Sequence, residues 1–118
     1  MEKYSRNEYS NPSSLYEEGT FSKKAIEDAR GRAGALLRAR PDELIFLSGG
    51  TEANNLAILG LFKNVVLKQG KKPSELHMIT SVIEHPSVLE CARHLSSLGV
   101  KVDYVSVNRE GVVNVKEI

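Results

Sequence analysis

The sequence predicts an α/β fold, in which a parallel or mixed sheet is covered by helices in the order α-β-α-β-α-β. Three observations predict it. Apolar residues recur at three- and four-residue spacings in three stretches, short runs rich in Val, Ile and Leu alternate with them, and the joining segments are brief and carry Gly or Pro. Strands that alternate with helices pair in parallel through right-handed crossovers, which lays the helices on the sheet.

Taken in order, the first dozen residues read as irregular. Asn11-Pro12-Ser13-Ser14 is turn chemistry, and either serine is suited to cap the short segment that follows. From about Phe21 to Arg38, Ala25, Ile26, Ala29, Ala33, Leu36 and Leu37 mark one apolar helix face, which Pro41-Asp42 ends. Leu44 to Leu47 is a short apolar run suited to a buried strand. Gly49-Gly50 leads from it into a second helix, largely buried through Leu56, Ile58, Leu59, Leu61, Phe62, Val65 and Val66, and closed by Gly70.

Lys71-Lys72-Pro73-Ser74 links to a second strand, about Leu76 to Ile83. Pro86 fits the first position of a third helix, whose core face is Val88, Leu89, Ala92 and Leu95 and whose end is Gly99. Val100, Val102, Tyr104, Val105 and Val107 form a third strand rich in β-branched residues. Asn114 with Glu117 three residues on reads as the start of one more helix.

Composition narrows the function classes. A chain of 118 residues is one domain's worth, 41% apolar and 26% charged, as in an ordinary soluble domain. Net charge is +1 and the 16 basic residues are scattered, which argues against a nucleic-acid or anionic-membrane surface. Cys91 is the only cysteine, so neither an internal disulfide nor a multi-cysteine metal site is expected. No stretch has signal-peptide or membrane-spanning character, and a cytoplasmic location follows as the expectation.

Two places carry chemistry. Ligands of open parallel sheets collect outside the carboxyl ends of strands. At one such end, Ser48-Gly49-Gly50-Thr51 opens a helix, where free backbone N–H groups, the positive end of the helix dipole and the Thr51 hydroxyl suit a phosphate. The bland alternative is a Gly-rich turn with Thr51 as an ordinary cap. The pattern is neither a P-loop nor Gly-x-Gly-x-x-Gly. At the other end, in Glu84-His85-Pro86, His85 is placed to act as acid or base, or to lay its ring on a flat cofactor; the bland alternative is a cap or a solvated loop residue. No metal-ligand spacing is present, His77 and His94 have no catalytic pattern, and Cys91 reads as a small apolar helix residue.

"SGGTEANNLAI" (48–58) followed by "ITSVIEHPSVLE" (79–90) resembles the cysteine desulfurases of the NifS/IscS type, pyridoxal-phosphate enzymes of fold type I in the class-V aminotransferase superfamily. "NPSSLYEEG" (11–19), "AIEDAR" (25–30), "PDELIF" (41–46) and "VNREGVVNVKEI" (107–118) fit the same family in order and spacing. The wording is closer to the NifS/IscS branch than to the SufS-like branch, and Tyr16 departs from the histidine usual after Asn-Pro-Ser-Ser.

The resemblance implies that Gly50 and Thr51 bind the phosphate of pyridoxal 5'-phosphate and that His85 stacks on its ring and helps to move protons. It implies a reaction that takes sulfur from L-cysteine, leaving alanine and an enzyme persulfide for iron-sulfur cluster or thio-cofactor synthesis. A sulfur-acceptor protein and a homodimeric full-length form are the partners it suggests. Selenocysteine lyase or another class-V aminotransferase-like enzyme is the alternative enzyme, and a catalytically incompetent truncated fragment is the alternative to an enzyme.

Residues 1–20 are expected to form a loop and short helical segment, and residues 21–118 a partial cofactor-binding large domain. The family's lysine that holds the cofactor, its aspartate at the ring nitrogen and its sulfur-receiving cysteine find no match here. They are expected beyond Ile118, so the 118 residues alone are expected to be inactive.

Overall fold

A computed structural model describes residues 10–118, so the irregular start expected for residues 1–9 lies outside the described residues. The chain divides between Phe46 and Leu47 into two compact units.

The first unit is built on helix α1, Glu17–Leu37. It begins ahead of the apolar face that marks it in the sequence, and it runs without a break across position 20. The turn before it satisfies itself. Asn11 Oδ1 accepts from the Ser13 N–H at 2.9 Å, the Ser14 N–H donates to the Asn11 carbonyl at 2.9 Å, and Ser14 Oγ accepts from the Tyr16 N–H at 3.3 Å. Neither serine caps the helix. The N-cap is Tyr16, which makes no side-chain cap bond, and Glu17 and Glu18 offset the helix dipole instead.

Gly19 is required by this packing. A Cβ there would lie 2.7 Å from the Asn11 carbonyl oxygen and 2.7 Å from Ser14 atoms. Gly19→Ala is therefore expected to lower stability by about 1–3 kcal/mol, the usual cost of forcing a group into filled space. An unshifted urea midpoint would show that the turn gives way freely.

Helix α1 ends at Arg38, in the left-handed region with φ 54°. The Ala39 N–H returns to the Gly34 carbonyl at 2.9 Å, and a Cβ on Gly34 would meet the Ala39 oxygen at 2.8 Å. The stop is thus made by a glycine inside the last turn, before Pro41 is reached. Pro41–Glu43 forms a single 3₁₀ turn.

The strand expected at Leu44–Leu47 is not formed. Leu44 is extended (φ −102°, ψ 130°), yet no other strand pairs with this run among the described residues. The Leu44 carbonyl instead accepts from Arg30, whose guanidinium lies 4.8 Å from the centroid of the Phe46 ring. An arginine side chain occupies the acceptor that a neighbouring strand would use. Ile45 and Phe46 are correspondingly exposed.

The second unit holds helix α2 (Gly50–Gln69), strand β1 (His77–Ser81), helix α3 (Pro86–Ser97) and strand β2 (Lys101–Val105). The described order is therefore α-α-β-α-β, one strand fewer than expected. The two strands pair in parallel, from His77 opposite Lys101 to Ser81 opposite Val105, as the α/β reading requires. One further bond at each end, Lys101 N–H to the Leu76 carbonyl (3.1 Å) and Val82 N–H to the Val105 carbonyl (3.0 Å), completes the ladder.

The core lies between α3 and the sheet: Cys91, Ala92, Leu95, Val100 and Val105 are buried, and Val88 and Leu89 are half-buried. Helix α2 packs along α3 but is far less covered than its apolar sequence predicts, for none of its residues is fully buried. Between α2 and the start of β1 a groove of about 450 Å³ remains, lined by Ile58, Leu61, Phe62, Val65, Met78 and Leu95. Helix α2 does end at Gly70, in the left-handed region with φ 68°.

The third expected strand is shortened by a turn. Asn108 Oδ1 accepts from the Glu110 N–H (3.0 Å) and the Val112 N–H (2.9 Å), and Val107 and Val113 form a lone antiparallel bridge. Asn114 Oδ1 accepts from the Lys116 N–H at 3.3 Å, as a cap should, but it opens a 3₁₀ turn over Val115–Glu117.

Candidate functional site

Helix α2 opens on Gly49 as its N-cap, in extended conformation (φ 169°), and the first bond of the helix runs from the Ala53 N–H to the Gly49 carbonyl at 3.1 Å. The N–H groups of Gly50, Thr51 and Glu52 come before that bond and have no partner among the described residues. Thr51 is the second helical residue, so it is not the cap, and its hydroxyl is likewise unpartnered among the described residues. A Cβ on Gly49 or on Gly50 would meet nothing within 4 Å. The chain's own packing does not demand glycine at either position. Three N–H donors and a hydroxyl at this helix start are thus without partners among the described residues, a donor set that fits an oxyanion such as a phosphate.

Glu52 sits at the same end and faces back. One of its oxygens accepts from both the Ser48 N–H and the Ser48 hydroxyl, each at 2.7 Å. The Ser48 backbone bond first, and the hydroxyl bond second, hold the Glu52 carboxyl below its ordinary value of 4.5. The folded form thus binds this proton more weakly than the unfolded chain. The contribution is present above the ordinary carboxylate value and is lost as pH falls through the lowered one. A carbon-detected titration is expected to place the Glu52 midpoint below 4.5 in the native protein and to raise it in Ser48→Ala. Identical midpoints in the two proteins would remove Ser48 as the cause.

His85 lies four residues beyond the last residue of β1, Ser81, and is the N-cap of α3, with Pro86 at the first helical position as expected. Its Nδ1 accepts from the Ser87 N–H at 3.2 Å and lies 2.9 Å from Ser87 Oγ. Asn54 of α2 donates from Nδ2 to the same Oγ at 2.8 Å. This chain of bonds ties the second turn of α2 to the first turn of α3. Gly50 and Thr51 therefore share one end of the second unit with His85, though not for the reason the sequence suggests. Only His85 follows a strand; Gly50 does not, and the link runs from helix to helix. Capping engages Nδ1, and Nε2 has no partner among the described residues.

Asn54 and Ser87 escape a reading aimed at catalytic residue types. The available signal is positional: Asn54 is one turn past Gly50, and Ser87 is a small hydroxyl residue in the first turn of a helix that starts on His-Pro. The remaining candidates lie elsewhere. His77 Nε2 and Asp103 Oδ2 are 2.7 Å apart, and Lys101 Nζ is 3.2 Å from the same oxygen, an exposed cluster along the strands. The Lys101 and then the His77 hydrogen bond hold Asp103 below its usual value. Burial pushes the Cys91 thiol up, away from the reactive thiolate. No group of three or more metal-ligating side chains occurs among the described residues, and no helix among them is long and apolar enough to cross a membrane.

The profile of the family described as "Aminotransferase class-V" matches residues 1–118. The chain belongs to the class-V aminotransferase family. Class-V aminotransferases depend on pyridoxal phosphate as a family, which agrees with the oxyanion-suited donor set at α2. Among relatives of this class-V chain, the cysteine desulfurase IscS of Dictyoglomus turgidum is 41% identical over 97% of the chain and 27% of its own length. Two solved structures are also similar. A NifS-like protein superposes with a TM-score of 0.79 at 35% identity, over 98% of this chain and 30% of that one. SspA in complex with cysteine gives a TM-score of 0.69 at 35% identity, over 86% and 28%. The class-V chain spans about a quarter of the length of the curated relatives it matches.

Proposed function

We propose that these residues form the phosphate side and one ring contact of the pyridoxal-phosphate site in a cysteine desulfurase. The observation that carries the reading is the joining of the two helix starts: the unpaired N–H groups of Gly50 and Thr51 on one, and His85 on the other, linked through Asn54 and Ser87. The 41% identity to a cysteine desulfurase and the likeness to a protein solved with cysteine support the same reading.

In this site the N–H groups of Gly50 and Thr51 and the Thr51 hydroxyl receive the phosphate, aided by the positive end of the α2 dipole. His85 covers the ring and handles a proton at Nε2. When bound, the cofactor supplies an electron sink that allows the carbon–sulfur bond of L-cysteine to break, leaving alanine. Cys91 is not the sulfur carrier, because it is buried and held as the thiol. The receiving thiol lies outside this stretch, and a sulfur-acceptor protein and a second copy of the chain are the partners the reading calls for, in the cytoplasm.

The test is to supply the intact protein that carries this sequence with pyridoxal phosphate, L-cysteine and a thiol reductant, and to measure alanine and sulfide together. Equal amounts of both are expected, and residues 1–118 alone are the control expected to release neither. Turnover of selenocysteine with none of cysteine would reassign the enzyme as a selenocysteine lyase. Turnover of neither would overturn the reading.

A further inference from the structure

We infer that Asn54 and Ser87 are positioning residues that fix His85 as its Nε2–H tautomer, so that the free ring nitrogen meets a bound molecule as a hydrogen-bond donor. The inference deepens the proposed function and rests on its placement of His85 at the cofactor.

Hydrogen-bond polarity carries the argument. The Ser87 backbone N–H, 3.2 Å from Nδ1, can only donate, so Nδ1 presents its lone pair and carries no proton. Ser87 Oγ, 2.9 Å from Nδ1 and 2.8 Å from Asn54 Nδ2, has a single proton to place. An amide nitrogen has only protons to offer, so Oγ accepts from Asn54 and gives its own proton to Nδ1. Every bond then runs one way, from Asn54 to Ser87 to His85. Turning the Asn54 amide over would draw the Ser87 hydroxyl toward Oδ1 and leave an oxygen lone pair facing a nitrogen lone pair at 2.9 Å. The network therefore selects one amide orientation and one tautomer together. Ser87 is only 8% exposed and Asn54 half-buried, so water does not readily take the place of a missing partner.

With Nδ1 committed, the neutral ring carries its proton on Nε2. It can give that proton or bond to an acceptor, but it cannot take a proton there first. Between the acid and base roles that the sequence leaves open, the structure assigns the resting ring to the donor role.

The tautomer can be read directly by nitrogen-15 correlation spectra of the histidine-labelled intact protein, without cofactor and at alkaline pH where the ring is neutral. His85 is expected to show a protonated Nε2 and an aprotic Nδ1. Asn54→Asp replaces the donor by an acceptor and turns the Ser87 hydroxyl away, and Ser87→Ala removes the hydroxyl. Each is expected to raise the ratio of the Nδ1–H to the Nε2–H form by about fivefold or more, as loss of one hydrogen bond implies. A protonated Nδ1 in the unsubstituted protein would overturn the inference whatever the variants do, and so would an unchanged ratio in both variants. Because the readout needs neither cofactor nor turnover, its failure is distinguishable from failure of the desulfurase reading.

Discussion

On the proposed desulfurase function, His85→Ala in the intact protein is expected to lower cysteine turnover by at least about tenfold with cofactor at saturation, because general acid–base help is worth about 10²–10⁴-fold. Saturating cofactor matters: a ring that only stacked would affect cofactor retention, and that loss vanishes once the site is full. The substitution also deletes the N-cap of α3, which costs about 0.5–2 kcal/mol of stability, so a fall in activity could come from a loosened helix. His85→Asn separates the two causes. Asn is among the best capping residues but cannot shuttle a proton near neutral pH, so it should recover stability and leave turnover low. His94→Ala, in the last turn of α3, should leave turnover nearly intact. Equal behaviour of the His85 and His94 variants would reduce His85 to a capping residue.

The second large effect is on cofactor affinity. Thr51→Ala removes one charge-assisted hydrogen bond to the phosphate, worth about 1.5–3 kcal/mol, or roughly ten- to a hundredfold in Kd. Fluorescence titration of the cofactor-free protein with pyridoxal phosphate measures it. The comparison is clean because the Thr51 hydroxyl has no partner among the described residues, so its removal should leave the unfolding midpoint where it was. Thr51→Ser, which keeps the hydroxyl, should bind nearly as the native protein does. An unchanged Kd in Thr51→Ala would move the phosphate elsewhere on the helix.

The parts of this fold that local chemistry dictates are legible in the sequence. The period of apolar residues reveals all three α-helices among the described residues, Gly70 marks the end of α2, and Pro86 marks the start of α3. The β-branched run from Val100 onward foretells β2, and the alternation of elements foretells its parallel pairing with β1. What the sequence hides depends on partners. Leu44 to Leu47 has the composition of a strand, but a strand exists only when another backbone takes its hydrogen bonds, and here Arg30 takes one of them. Helix α1 ends at an arginine in a glycine-like conformation because Gly34, a turn earlier, leaves room for the chain to fold back.

The candidate site divides in the same way. Gly50, Thr51 and His85 are recognisable because their residue types suit an oxyanion and a flat ring. Asn54 and Ser87 are not, because an amide and a hydroxyl become informative only when a fold sets them 2.8 Å apart across 33 positions of sequence. Their contribution is the direction of a hydrogen bond, and no residue-by-residue pattern carries that.

The opposite engagement of two exposed histidines has a consequence for chemical modification. Acylating reagents are attacked by a nitrogen lone pair, so accessibility of the ring is not enough. In His77 it is Nε2 that faces the Asp103 carboxylate, an acceptor, so that nitrogen holds the proton and the lone pair of the neutral ring lies on Nδ1, which has no partner among the described residues. In His85 the lone pair is on Nδ1 too, but there two Ser87 donors already occupy it. A reagent drawn to surface histidines finds a nucleophile at His77, while His85, the residue an experimenter would most want to label, is shielded by its own helix cap.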